Sequence, residues 1–185
     1  MRSKIAASLL SLAVAIPALA LTLAGVNMED HTTVGSQTLV LNGAGLRKKL
    51  FIKVYVGGLY LPAKNSNAAA IMAADTPRRQ VMHFLYSVSK SQMCDAWDEG
   101  LEDNTKNPSA DVKTNFKTLC NWMEPIPKGN RLVLTYVPGT GTTVEVNGKS
   151  KGTLPGKATA DAILATWIGP KPGPGNDFKN AVLGK

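Results

Sequence analysis

Past its first twenty residues the sequence has no apolar run long enough to span a bilayer, no internal repeat, no low-complexity tract and no long linker. Cysteine and histidine are scarce, with two of each. His31 and His83 have no close Cys, His or carboxylate cluster around them, so no metal site is expected. In the strand-like run that holds it, His83 reads as a hydrogen-bonded core residue. A serine or cysteine hydrolase lacks support because no nucleophile elbow is present. The glycines of "NGAG" at 42–45 have neither the spacing nor the trailing Lys-Ser/Thr of a phosphate loop. No cofactor is expected.

What is there begins with a leader. Arg2 and Lys4 precede an apolar stretch, and Ala18-Leu19-Ala20 has the small-x-small pattern of a cleavage site, so residues 1–20 read as a secretory signal peptide. A retained N-terminal anchor is the alternative. Pro17 breaks the apolar run, and no cysteine follows the cleavage site to carry a lipid. The expected product is a periplasmic or secreted protein with no stable membrane insertion once the signal is gone. Residues 21–185 are 165 in number, enough for one domain with its own core. They hold 19 Lys plus Arg against 13 Asp plus Glu, an excess of +6 spread along the chain apart from "LRKK" and "PRR". That distribution suits ordinary solubility and gives no nucleic-acid footprint.

Export makes the two cysteines informative. Ser89 followed by Gln92 is a capping-box start for a helix running to about Asp103, and Ser109 begins a second running to about Met123. "NTKNPS" breaks the helical pattern between them. If the helices fold back near position 107, Cys94 and Cys120 lie thirteen residues either side of the turn and level with each other. The spacing predicts a disulfide, with two buried thiols as the alternative.

Elsewhere, "LTLAGVNM" predicts a short strand and "EDHTTVGSQ" a polar connection. In "LNGAGLRKKLFIKVYVGGLYLP" a period of two puts Leu50, Ile52, Val54 and Val56 on a core face, and Lys49, Phe51, Lys53 and Tyr55 on the other. Gly57-Gly58 suggests a bulge or a close approach by another backbone. "SNAAAIMAAD" predicts a short helix, and "RRQVMHFLYSVS" a central strand covered on both faces. Strands follow in "RLVLTYVPG" and in "TTVEVNGKSKGTLPG", the latter a hairpin over Asn147-Gly148. "TADAILATWIG" and "NDFKNAVL" are the closing helices. Strands, helices, strands, helices point to α+β with an antiparallel sheet and helices on one side.

The surviving candidates for chemistry are fixed cations and phenols: Arg47, Lys53, Tyr55 and Tyr60. An arginine fork and a tyrosine hydroxyl both suit a carboxylate, and Phe51 on the same predicted face suits an apolar remainder. Spacing alone favours a solvent-facing strand, on which Lys and Tyr are ordinary occupants.

The four stretches "LNGAGLRKKLFIKVYVGGLYLP", "PRRQVMHFLYSVSKSQMCDAWDEGL", "YVPGTGTTVEVNGKSKGTLPG" and "ATWIGPKPGPGNDFKNAVLG" resemble, in order, the chalcone isomerase-like family, in its bacterial exported branch. The resemblance implies an open-faced β-sandwich, a large antiparallel sheet covered by a layer of helices with the ligand cleft between. It implies a glycine-rich turn that delivers Arg47, a Tyr55 where true isomerases carry a threonine, and Thr166 and Trp167 facing the same cleft. The catalytic tyrosine and asparagine of the plant isomerases fall on about Met93 and Gly100, which cannot supply those hydrogen bonds. The implied function is therefore non-catalytic binding of a fatty acid or similar small apolar carboxylate, with Arg47 and Tyr55 on the head group and Phe51 and Trp167 on the tail. An intramolecular lyase of the chalcone isomerase type and a cell-envelope scaffold without a small ligand are the alternatives.

Overall fold

The computed structural model describes residues 20–185, so the predicted signal peptide lies outside the described residues except for Ala20. Two short strands, β1 (Leu21–Leu23) and β2 (Val26–Met28), form an antiparallel hairpin turned by Ala24 and Gly25, both at positive φ. The main sheet has seven strands, each hydrogen-bonded antiparallel to its sequence neighbour. They are β3 (His31–Val34), β4 (Gln37–Lys49), β5 (Ile52–Leu61), β6 (Arg78–Phe84), β7 (Arg131–Val137), β8 (Gly141–Val146) and β9 (Lys149–Leu154). The N-terminal region thus holds more sheet than its polar sequence suggests: the expected connection contains β3 and its turn into β4. Strand β6 is central, as expected, and the β8–β9 hairpin turns on Asn147 and Gly148, both at positive φ.

Helix α1 (Ala68–Ala73) lies between β5 and β6, and the pair α2 (Lys90–Asn104) and α3 (Ala110–Trp122) between β6 and β7. The Ser89–Gln92 capping box is formed, and Ser109 caps α3 by accepting from the Val112 amide. The predicted pairing of cysteines is present: Cys94 of α2 and Cys120 of α3 form a disulfide with their Cα atoms 5.1 Å apart. Helix α4 (Lys157–Ile168) is buried at nine of its twelve positions, so it is enclosed by other elements and not amphipathic. Helix α5 (Asn176–Val182) closes the chain.

Two cores result. The larger joins the inward sheet face to the helices through residues such as Leu59, Met82, Phe84, Trp97, Phe116, Ile163 and Trp167. The smaller, on the opposite face, gathers Val26, Met28, Leu39, Leu41, Ala44, Val56 and Tyr60, so the β1–β2 hairpin covers part of the outer surface.

The β4–β5 ladder departs from simple alternation twice. Its register shifts between Leu41 and Gly43, leaving Asn42 as an extra residue on β4, and between Arg47 and Lys48, leaving Val54 as an extra residue on β5. The buried Asn42 amide donates to the Val182 carbonyl at 2.8 Å and accepts from the Asn65 amide at 2.7 Å. It therefore pins the end of α5 to the strand.

The bulge at Val54 revises the predicted faces. Ile52 and Val54 face the helices, and so does Tyr55, whereas Val56 belongs to the outer core and Lys53 is exposed. Leu50 and Phe51 belong to neither strand and form the exposed turn between them.

The glycines of "NGAG" are likewise inside β4, not in a turn before it. A Cβ on Gly43 would lie 2.1 Å from the Ala181 carbonyl oxygen, and one on Gly45 would lie 2.8 Å from the Phe178 ring. Helix α5 rests directly on this bare stretch of strand. Gly57, opposite Gly45, lies under the Phe178 and Trp167 rings, so the close approach expected there comes from side chains.

Candidate ligand-binding site

Between the inward sheet face and the helices lies a cavity of about 170 Å³. Its walls are mostly apolar, with Val54, Met82, Phe84 and Val88 from the sheet side facing Met93 and Trp97 of α2. Exposed Lys49, Tyr86, Gln92, Glu99 and Asp103 mark its mouth.

Arg47 and Tyr55 are direct cross-strand partners, and Phe84 is the partner of Tyr55 on β6, so the three form a row across the sheet on the cavity side. The phenol is boxed by rings. Phe84 lies 5.5 Å away and tilted, Trp167 of α4 stacks at 6.3 Å, and Phe178 of α5 meets it edge-on at 5.8 Å. Burial pushes the Tyr55 hydroxyl up to about 12, against the opposing pull of the nearby Arg47 charge. At neutral pH it is a protonated donor held in place.

Arg47 is half-buried and has Gly173 beside it, whose notional Cβ would stand 3.8 Å from Nη1. The contrast with Arg78, also on the inward face, is instructive. Arg78 donates to Asp161 at 2.6 Å, and its guanidinium lies over the Tyr136 ring. Arg47 takes part in none of the four ion pairs among the described residues. A cation beside a protonated phenol, on the wall of an apolar cavity, is a binding arrangement for a carboxylate attached to an apolar body.

Of the other predicted site residues, Thr166 and Trp167 both line the cavity. The Thr166 hydroxyl donates to the Ile163 carbonyl within α4 at 2.8 Å, leaving only its lone pairs for a ligand. Phe51 is not in the cavity. It is 90% exposed at the hairpin turn, because the bulge at Val54 and the turn at Leu50–Phe51 defeat the parity that grouped it with Tyr55.

Met93 and Gly100 both line the cavity, and neither side chain offers a hydrogen bond. A Cβ on Gly100 would lie 2.8 Å from the Thr166 methyl carbon. Trp97 occurs between them, at the i, i+4, i+7 spacing of one helix face. The spacing is legible in the sequence, but that this face of α2 meets the cavity is set by how the helix packs on the sheet. The indole nitrogen of Trp97 is buried and has no hydrogen-bond partner among the described residues. Among the described residues no group of three or more His, Cys, Asp or Glu could hold a metal, and no helix is long and apolar enough to cross a membrane.

A seven-stranded antiparallel sheet with helices over one face, and a cleft between them walled by Arg47, Tyr55 and aromatic residues, defines an open-faced β-sandwich. The chain belongs to the chalcone isomerase-like family, whose model matches residues 20–184. Among solved structures it is similar to the crystal structure of a fatty-acid binding protein from Arabidopsis thaliana. The TM-score is 0.69 at 18% identity, over 91% of this chain and 97% of that one. No curated protein sequence matches the chain.

Proposed function

We propose that this protein is a non-catalytic binder of a fatty acid or similar apolar carboxylate, held in the cleft between sheet and helices. The observation that carries the reading is Arg47 directly opposite Tyr55 on the wall of an apolar cavity, with no carboxylate of the protein in an ion pair with it. The carboxylate accepts from the guanidinium and the phenol. The chain lies along Val54, Met82, Phe84, Val88 and Met93, under the Trp167 ring. The cavity is close in size to one that takes a benzene-sized guest, about 150 Å³, so it encloses only part of a medium-length chain and the rest extends toward the mouth. The Arabidopsis protein, described as fatty-acid binding, supports this reading through its shared fold.

Met93 and Gly100 favour binding over an isomerase reaction. Such a reaction needs donors aimed at a developing oxyanion, and losing one typically costs about 2.7–4 kcal/mol of barrier lowering. We further propose that residues 1–20 are a signal peptide and that the protein works outside the cytoplasm, in the exported branch of the family. The Cys94–Cys120 disulfide supports this, since such bonds persist in oxidising compartments.

Calorimetric titration of delipidated protein with decanoate and laurate, beside Arg47→Ala, tests the binding reading. Saturable binding weakened at least tenfold in the variant is expected. Equal affinity in both would remove the arginine from the site, and no binding by either would remove the fatty acid.

A further inference from the structure

The turn between β4 and β5 holds two large apolar side chains in open solvent, Leu50 at 86% and Phe51 at 90% exposure. Leu50 sits at φ 55°, a left-handed conformation that suits glycine or asparagine far better than leucine. Lys48, Lys49 and Lys53 surround the pair, all exposed and in none of the four ion pairs among the described residues. Lys48 and Lys53 are direct cross-strand partners, an arrangement that destabilises the ladder. Each of these features disfavours the isolated hairpin, and among the described residues no ion pair or apolar cover compensates for them.

A bilayer surface would compensate for the exposed apolar side chains and for the clustered cations. Apolar side chains enter the boundary between head groups and acyl chains, while the surrounding cations stay level with the phosphates. A protein partner fits less well, because lysine is depleted from protein interfaces. The site is also placed for a lipid: Lys49 and Ile52 next to the tip, and the half-exposed Tyr86, line the mouth of the cavity. On the opposite lip Glu99 and Asp103 are acidic, Asp103 paired with Lys171, so the tip and not the whole rim meets the head groups. We propose that the Leu50–Phe51 tip docks on a membrane surface containing anionic lipid, with Lys48, Lys49 and Lys53 on the lipid phosphates and the cavity mouth turned toward the bilayer. This goes beyond the fatty-acid reading and does not require it.

The test uses the exported protein, purified after removal of its leader, and vesicles of phosphatidylcholine with or without phosphatidylglycerol. Phe51→Trp gives a local signal over the background of the three native tryptophans, measured in unmodified protein. Its emission should shift to the blue and be quenched by brominated lipid only when phosphatidylglycerol is present, and high salt should reverse both changes. Leu50→Ser with Phe51→Ser should weaken vesicle binding at least tenfold, and Lys48→Glu with Lys53→Glu should weaken it by a similar factor. Emission of Phe51→Trp that ignores anionic vesicles, or equal vesicle binding by the double serine variant and unmodified protein, would overturn the proposal. Decanoate affinity of the double serine variant should be unchanged, so failure of docking and failure of fatty-acid binding give different results.

Discussion

Arg47 and Tyr55 face each other across the β4–β5 ladder one residue before that ladder slips at Val54. Without the extra residue, Tyr55 would share a face with Lys53 and point away from the helices. The slip turns Tyr55 inward beside Val54, and so puts a guanidinium–phenol pair and an apolar wall on the same face of the sheet.

That pair should dominate ligand affinity. Arg47→Ala removes a charge-assisted hydrogen bond in a partly buried site, a loss of about 1.5–3 kcal/mol, or roughly 10- to 150-fold in Kd for decanoate. Arg47→Lys should recover only part of it, because the ammonium lacks the planar fork. Tyr55→Phe removes a neutral donor and should weaken binding by about 1 kcal/mol. Calorimetry on the three variants checks the order.

The alkaline behaviour follows from the raised tyrosines. Tyr55, Tyr60 and Tyr136 are each pushed up to about 12, chiefly by burial. Between pH 10 and about 12 the unfolded chain releases phenolic protons that the folded protein keeps, so stability falls as pH rises through that window. Tyr55 alone contributes roughly 3 kcal/mol to the fall, two units at about 1.4 kcal/mol each. Urea unfolding across this range should show the decline, and Tyr55→Phe should make it shallower. A slope identical in the variant would contradict the assignment.

The disulfide closes a loop with a sequence separation of 26. In the chain-entropy model it contributes about 3–4 kcal/mol. Cys94→Ala with Cys120→Ala should lower the urea midpoint accordingly. Because α2 carries Met93 and Trp97 into the cavity, decanoate affinity should fall as well.

Helix α5 lies on bare backbone, so its seat should be intolerant of side chains. Gly43→Ala places a methyl against the Ala181 carbonyl, and Gly45→Ala one against the Phe178 ring. Each should cost about 1–3 kcal/mol by overpacking. The Gly45 variant should also displace Phe178 from the edge of Tyr55, which a change in near-ultraviolet circular dichroism would register.

Much of this molecule was readable locally. The Ser89–Gln92 box, the Ser109 cap, the Asn147-Gly148 turn and the level placement of Cys94 and Cys120 all depend on residues a few positions apart or on one helix–turn–helix unit. They determined the α2–α3 hairpin, its disulfide, the β8–β9 hairpin and the α+β order of elements. Only the tertiary structure decided where the site residues point. The bulges at Asn42 and Val54 invert side-chain parity without any periodic signal, moving Tyr55 inward and leaving Phe51 at an exposed turn. The glycines of "NGAG" look like a turn until α5, more than 130 residues later, lies against them. Local propensity reports the conformations a segment favours. Which of its faces becomes a cavity wall depends on what packs against it, and contacts that far apart in the chain exist only once the fold has closed.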